Sequence, residues 1–383
     1  MAFFSFSLLK NRLTYFSNEI EPNQKYFSKD ITLWKELKNR NKKKQICVLN
    51  HETRLRINSL GKKILIFLPP RFGLGDAIEY SIAINSIIKS KKFFKIGIAF
   101  CGNHYFIFKE LFLFSNIYPL IISEKEIQKY DTIFHITLEI ESLKFQKYKR
   151  SNIVEEVCKF FQVPVLDFKF KQKKIVKKTI KEIAIFPVST SMLRSLPYNI
   201  LEQIIKKFQD EFIFKVYIDD SDFSKYLEEK NKSKNCVFVK PKDIKSLVLE
   251  IEKIDFGVFV DSGPLHIAKI FDKKGILIET SVSSKILLSN SKKIDRVENK
   301  YQSNFCYGPC GLVDVFSLNN RIGCYENHKI SFKYINNLSN FKSLQRWNKK
   351  NNNSQLISNP VGCIRNINVE NILKILEDNL REY

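Results

Sequence analysis

Runs of consecutive apolar residues, with little alternation, mark the middle of the chain. The first is Lys63-Ile64-Leu65-Ile66-Phe67-Leu68. A strand covered on both faces has no polar side to alternate with, so this run predicts a buried parallel strand. A glycine turn follows, Arg71-Phe72-Gly73-Leu74-Gly75, and then a helix-like stretch from Asp76 to Ser90. Further strands are predicted at 95–100 and 131–136, each separated from the next by enough chain for a crossover helix. After a basic linker near 171–181 the pattern restarts with Glu182-Ile183-Ala184-Ile185-Phe186-Pro187. Strands at 212–218, 236–239, 256–260 and 275–278 then alternate with helices, notably 243–253 and 264–271. Asn199-Ile200-Leu201-Glu202 has the form of a capping box and predicts a helix running through Phe208.

This rhythm predicts an α/β protein of two doubly wound, Rossmann-like domains facing a cleft. The expected division is 1–60 as an extension without assignable elements, 61–175 as the first domain and 176–300 as the second. Residues 301–383 hold a cysteine-containing segment, a polar, Asn-rich stretch over 331–360 and a final helix. That helix, Val369–Leu380, carries apolar residues at 369, 372, 373, 376 and 380, an amphipathic stripe. It is expected to cross back to the first domain.

Composition narrows the class. With 44% hydrophobic residues in 383, the chain buries two cores and is no disordered polymer. The net charge of +24 invites a nucleic-acid reading. The lysines, however, are spread evenly among Asn, Ile and Phe, which favours a diffuse affinity for anionic surfaces over a dedicated, specific nucleic-acid face. Such a surface also suits a peripheral membrane enzyme near anionic lipid. No apolar run reaches bilayer-spanning length. In Met1–Leu9 the charges Lys10 and Arg12 follow the apolar stretch instead of preceding it, unlike a signal peptide. The expected compartment is the cytoplasm, where eight cysteines form no disulfide framework.

Ligands of an open parallel sheet bind beyond the carboxyl ends of its strands. Two such ends carry unusual residues. At Gly73-Leu74-Gly75-Asp76-Ala77-Ile78, a dinucleotide fingerprint would need a small residue where Ile78 stands and an acidic end to the second strand, which instead runs into Cys101-Gly102-Asn103. A dehydrogenase reading fails on both points. What remains is a turn that presents Asp76 at a helix mouth, as a reactive carboxylate or as a simple helix cap. At the second end, Asp255 to Val260 leads into Asp261-Ser262-Gly263-Pro264-Leu265-His266-Ile267-Ala268. Proline suits the first helical turn, the free amides there attract an anion, and Gly263 lets backbone approach a phosphate.

The stretch from Asp261 to Ala268 resembles the Asp-[Ser/Thr]-Gly-x-x-His-x-Ala signature of the heptosyltransferase family of glycosyltransferases. Gly73-Leu74-Gly75-Asp76 resembles that family's Gly-Asp turn, and Arg194-Ser195-Leu196-Pro197 its Lys-x-Trp-Pro segment. The likeness spans roughly residues 61–280 and implies a GT-B type fold. It departs at Arg194 for Lys, Leu196 for Trp, and Glu279-Thr280 for Phe-Gly. Arginine keeps the charge and adds a fork suited to phosphate. The resemblance implies an inverting transfer from a nucleotide-diphosphate sugar, ADP-heptose in this family, with Asp76 as base. Arg194, His266, Ser262 and Gly263 would stabilise the departing diphosphate without a catalytic metal, and Asp261 would order the turn or contact the donor. The acceptor would be a glycan, a lipid-linked sugar such as lipopolysaccharide core, or a protein.

Near the carboxyl terminus the spacing Cys306-x3-Cys310-x13-Cys324-x38-Cys363 suits a four-sulfur structural iron or zinc site, with His328 as a substitute ligand. Unrelated buried cysteines are the alternative. The arrangement resembles the four-cysteine iron site of autotransporter heptosyltransferases, with a longer last gap. Two other function classes stay open: a nucleotide-sugar-binding assembly protein without catalysis, and a basic metal-finger protein binding nucleic acid.

Overall fold

A computed structural model describes residues 3–9, 13–15, 18–28, 31–44, 47–52, 61–70, 72–100, 104–136, 152–170, 180–231, 233–303, 307–311, 357, 360 and 362–381. The chain divides into two compact units, Met1–Asp167 and Phe168–Tyr383. Of the linker expected at 171–181, all but the last two residues lie outside the described residues, as does nearly all of 331–360.

The first unit contains β1 (Phe3–Leu8), β2 (Leu13–Tyr15), β3 (Asn18–Ile20), β4 (Lys25–Ser28) and β5 (Cys47–Glu52). They are followed by β6 (Lys63–Phe67), β7 (Lys95–Phe100), β8 (Ile117–Pro119), β9 (Ile121–Ser123) and β10 (Thr132–His135). β6, β7, β8 and β10 form a parallel sheet in the order β10-β6-β7-β8. The strand order reverses between β6 and β10, so the turn after β6 sits at a topological switch point.

Residues 1–60, for which the sequence pattern assigned no elements, supply most of a second, antiparallel sheet in the order β5-β1-β4-β9. Phe27 of β4 and Ile122 of β9 share one buried cluster with Leu65, Phe67 and Ala99 of the parallel sheet. Ile64 and Ile66 alternate to the opposite face and are buried too. Cover on both faces explains the unbroken apolar run of β6.

The second unit is built on one six-stranded parallel sheet. Its strands are β11 (Glu182–Phe186), β12 (Ile213–Tyr217), β13 (Cys236–Val239), β14 (Phe256–Phe259), β15 (Lys274–Ile278) and β16 (Ile294–Val297). The order is β13-β12-β11-β14-β15-β16. Counted from β11 this is 3-2-1-4-5-6, the doubly wound order whose switch point lies between the first and fourth strands. A small antiparallel pair, β17 (Tyr301–Gln302) and β18 (Tyr307–Gly308), follows. Near the switch point, Tyr217, Phe186 and Phe259 stack across three strands at 4.5 and 5.2 Å between ring centroids. The Phe259 ring lies over Gly257 and Gly275, which face each other on β14 and β15. A Cβ on either glycine would collide with that ring or the neighbouring backbone.

Two expectations need correcting. The helix Tyr198–Phe208 starts from Pro197, with no side-chain cap, so Asn199 lies inside the helix and no capping box forms there. Proline presets the φ of the entry residue and so sets the start. The terminal helix Val369–Arg381 does not leave for the first domain. Its Ile372 and Leu376 are fully buried in the cluster that holds Ile200, Leu201 and Ile204. Its apolar stripe is thus spent on the second unit's own core.

Candidate functional site

In the first unit the switch-point turn leads into the helix Leu74–Lys89, with Gly73 at the cap position in extended conformation (φ −81°, ψ 173°). Asp76 is the third helical residue, not the cap. Its Oδ2 accepts the Gly73 N–H at 2.9 Å, which ties the carboxylate to the turn in front of it. Asp76 is half-buried. Arg71 and Cys101–Asn103 lie outside the described residues. Phe72 stacks on His104 at 5.1 Å, and the imidazole Nε2 donates to the Phe72 carbonyl at 3.0 Å. Burial pushes the His104 pKa down, against the opposing pull of that carbonyl and of the Asp76 charge.

In the second unit the switch point brings together segments distant in sequence. β11 and β14 are hydrogen-bonded neighbours, with Phe186 opposite Phe259. The loops beyond them therefore emerge side by side. Arg194, from the first loop, pairs with Asp261, from the second, at 3.3 Å between Nη1 and Oδ2. Its Nη2 donates to Thr190 Oγ1 at 2.9 Å. Its Nε is buried with no hydrogen-bond partner among the described residues. Ser189 Oγ donates to the Asp261 carbonyl at 3.0 Å and latches the two loops together. Serine hydroxyls also close the loop on itself: Ser195 Oγ accepts the Ser189 amide at 3.0 Å and donates to the Ser191 carbonyl at 3.0 Å.

The helix Gly263–Ile270 begins at Ser262, whose hydroxyl makes no cap and instead donates weakly to the Val260 carbonyl at 3.4 Å. Pro264 stands at the second helical position, and His266 is buried one turn in. A helix start of this kind, uncapped and beside a guanidinium, has the positive potential that suits an anion. Arg194, Asp261, Ser262, Gly263, Pro264 and His266 thus share one corner of the second unit. Ser189, Thr190 and Ser195 were missed. For Ser189 and Thr190 the signal was the Ser-Thr-Ser run, separated from the end of β11 by two residues, and Ser195 stands beside Arg194 in the Arg194–Pro197 segment.

One strand over from β14, Glu279 continues from β15 and is buried. Its Oε2 accepts the Ser284 amide at 2.6 Å and the Ser284 hydroxyl at 2.7 Å, and its Oε1 accepts the Asn299 amide at 3.2 Å. Asn299 Nδ2 in turn donates to the Cys363 carbonyl at 2.8 Å. Gly311, next to Cys310, donates its amide to the Ser281 carbonyl at 2.7 Å. Cys310 and Cys363 are both buried in one apolar cluster, and a Cβ at Gly308 would stand 3.4 Å from that of Cys363. Cys306, Cys324 and His328 lie outside the described residues. Among the described residues no three metal-ligating side chains gather.

No protein-family model and no curated protein matches the sequence. Among solved structures, the chain is similar to the iron-containing dodecameric glycosyltransferase TibC of enterotoxigenic E. coli H10407. The identity is 10%, the TM-score 0.51, and the match covers 99% of this chain and 91% of that one. A glycosyltransferase of family 9 from Veillonella parvula DSM 2008 matches at 12% identity and TM-score 0.50, over 86% of this chain and 100% of its own. The chain has the GT-B fold. TibC has also been solved in complex with ADP-D-beta-D-heptose, and that structure matches at 10% identity and TM-score 0.50.

Proposed function

We propose that this protein is a glycosyltransferase that moves a sugar from a nucleotide diphosphate to an acceptor hydroxyl with inversion, and that the donor is ADP-heptose. The observation that carries the reading is the Arg194–Asp261 pair beside the uncapped start of the helix Gly263–Ile270, with a buried guanidinium N–H left without a partner. In this reading the second unit holds the donor. Arg194, His266 and the amides at Ser262 and Gly263 take up the charge that grows on the departing diphosphate. The first unit holds the acceptor, a hydroxyl of a glycan, a lipid-linked sugar or a protein, and Asp76 removes its proton as it attacks the anomeric carbon. The chemistry needs no catalytic metal, because charge stabilisation comes from the guanidinium and the helix start.

The test is thermal unfolding against a panel of nucleotide sugars. The cognate donor at a hundred times its dissociation constant should stabilise the protein by about 2.7 kcal/mol. ADP-heptose should act more strongly than UDP or GDP sugars. No shift with any nucleotide sugar, together with salt-sensitive binding to nucleic acid, would overturn the reading in favour of a nucleic-acid-binding protein.

The reading extends to Cys306, Cys310, Cys324 and Cys363 as the ligands of one structural iron or zinc. Its support is that Cys310 and Cys363, far apart in sequence, enter the same buried cluster. When bound, a thiolate-held metal contributes folding free energy directly, since its ligands are not assembled in the unfolded chain. Cys310→Ser should therefore lose metal and thermal stability, with activity falling as a consequence. Cys158→Ser, on the first unit's helix Ile153–Phe161, should leave metal content unchanged. Elemental analysis of folded, active wild-type protein decides this, and a clearly substoichiometric content of iron and zinc would end the assignment.

We take the enzyme to work in the cytoplasm with a peripheral hold on anionic membrane. The net charge of +24 supports this, as does Phe94, 83% exposed beside Lys91, Lys92 and Lys95.

A further inference from the structure

We infer that His104 is a positioning residue for Asp76: its imidazole grips the Phe72 carbonyl and thereby fixes the start of the turn that presents the carboxylate. The inference rests on Asp76 being the base, and it concerns a histidine that no family motif in this sequence includes.

The turn has few anchors of its own. Gly73 has no side chain to hold it, and the hydrogen bonds described for it are the Ala77 amide to its carbonyl at 3.0 Å and its own amide to Asp76. Both lie inside the turn, so neither ties it to the rest of the unit. His104 supplies an outside anchor, reaching Phe72 from beyond β7 with the Nε2 bond of 3.0 Å. The rings of His104 and Phe72 lie 28° from parallel, so the same residue is held by its carbonyl and by its face. Phe72 also makes T-shaped contacts with Tyr80 and Phe108, at 5.5 and 6.4 Å between ring centroids. Those two rings are almost wholly buried, so the bracket rests on the core.

The protonation state suits the role. A carbonyl oxygen only accepts, so Nε2 must carry the proton. The neutral ring then leaves Nδ1 as a lone-pair acceptor, and that atom is buried with no hydrogen-bond partner among the described residues. Burial resists a second proton on the ring, and the Phe72 carbonyl selects the neutral tautomer with its proton on Nε2. Phe72 precedes Gly73, whose amide is the group bound by the Asp76 carboxylate. A shift of the Phe72 peptide therefore moves the partner that orients Asp76. Misplacement of a catalytic group on the ångström scale costs on the order of a hundredfold in rate.

Three substitutions separate the parts of this contact. His104→Phe keeps the stacked ring and removes the donor. His104→Gln restores an N–H near the position of Nε2, and His104→Asn is too short to reach the carbonyl. His104→Phe and His104→Asn should lower kcat by at least about tenfold, with KM for the nucleotide sugar and calorimetric nucleotide affinity within about twofold of wild type. His104→Gln should recover most of the rate. In an Asp76→Asn background, His104→Phe should change the residual rate by less than about twofold, because a residue acting through Asp76 has nothing left to position. Wild-type kcat in His104→Phe beside an inactive Asp76→Asn overturns this inference alone, as does an equal loss in both backgrounds. Wild-type turnover in Asp76→Asn overturns the base assignment and the positioning role with it. If His104→Phe fails to fold, the comparison of Gln with Asn carries the test, and equal rates in those two variants overturn the inference.

Discussion

Asp76→Asn is expected to lower transfer by about a thousandfold while leaving nucleotide affinity unchanged. Asparagine has the same shape, and its amide oxygen still accepts the Gly73 N–H, so the turn and the helix Leu74–Lys89 should persist. Only proton acceptance is lost. Since Asp76 belongs to the unit proposed to hold the acceptor, the donor site in the second unit should not register the change. Rate measurements with saturating donor, paired with calorimetry of nucleotide binding, make the comparison. Near wild-type turnover in the Asn variant would remove Asp76 from the chemistry.

Arg194→Ala is expected to weaken donor binding and to slow transfer by about a hundredfold. It also leaves Asp261, with 8% of its side chain exposed, as a buried carboxylate stripped of its cation. Removing one partner of such a pair costs about 3 kcal/mol of stability. The two effects separate in the double variant with Asp261→Asn. Neutralising the carboxylate should return most of the lost thermal stability and none of the lost donor affinity. His266→Ala should move rate and affinity in the same direction as Arg194→Ala. Unchanged nucleotide affinity and unchanged rate in both single variants would sink the donor-site placement.

The parallel strands were legible because burial on both faces leaves an unbroken apolar run. β7 and β13 begin and end where the sequence placed them, and β6, β11, β14 and β15 differ by one residue. The first sixty residues were not legible. β1 reads Phe-Phe-Ser-Phe-Ser-Leu, and its partners are β4 and β5, while β4 pairs with β9 almost a hundred residues further on. Strands of three to six residues gain their stability from such partners, which no local pattern reveals. β16 was missed for a related reason, since its two central residues, Asp295 and Arg296, are charged and exposed.

The candidate site divides the same way. Its chemistry was visible where one short segment carries it, as in Asp261 to His266. The Arg194–Asp261 contact was not, because it depends on β11 and β14 becoming neighbours at the reversal of strand order. His104 was invisible too. A single histidine after a strand end carries no signal until the Phe72 carbonyl is seen opposite it.

Glu279 accepts from Ser284 and Asn299, and Asn299 donates to the carbonyl of Cys363, so one buried carboxylate links three stretches of chain. None of these stretches can detach without stripping a buried polar group of its partner, which costs about 1–3 kcal/mol per group. They should therefore open together, as a single cooperative unit in native-state hydrogen exchange. That unit includes the loop after β15 and the backbone at Cys363. Local melting at Cys363 would then be felt at the strand end beside Asp261 and Ser262, giving a remote part of the chain leverage over the corner that Arg194 and Asp261 form.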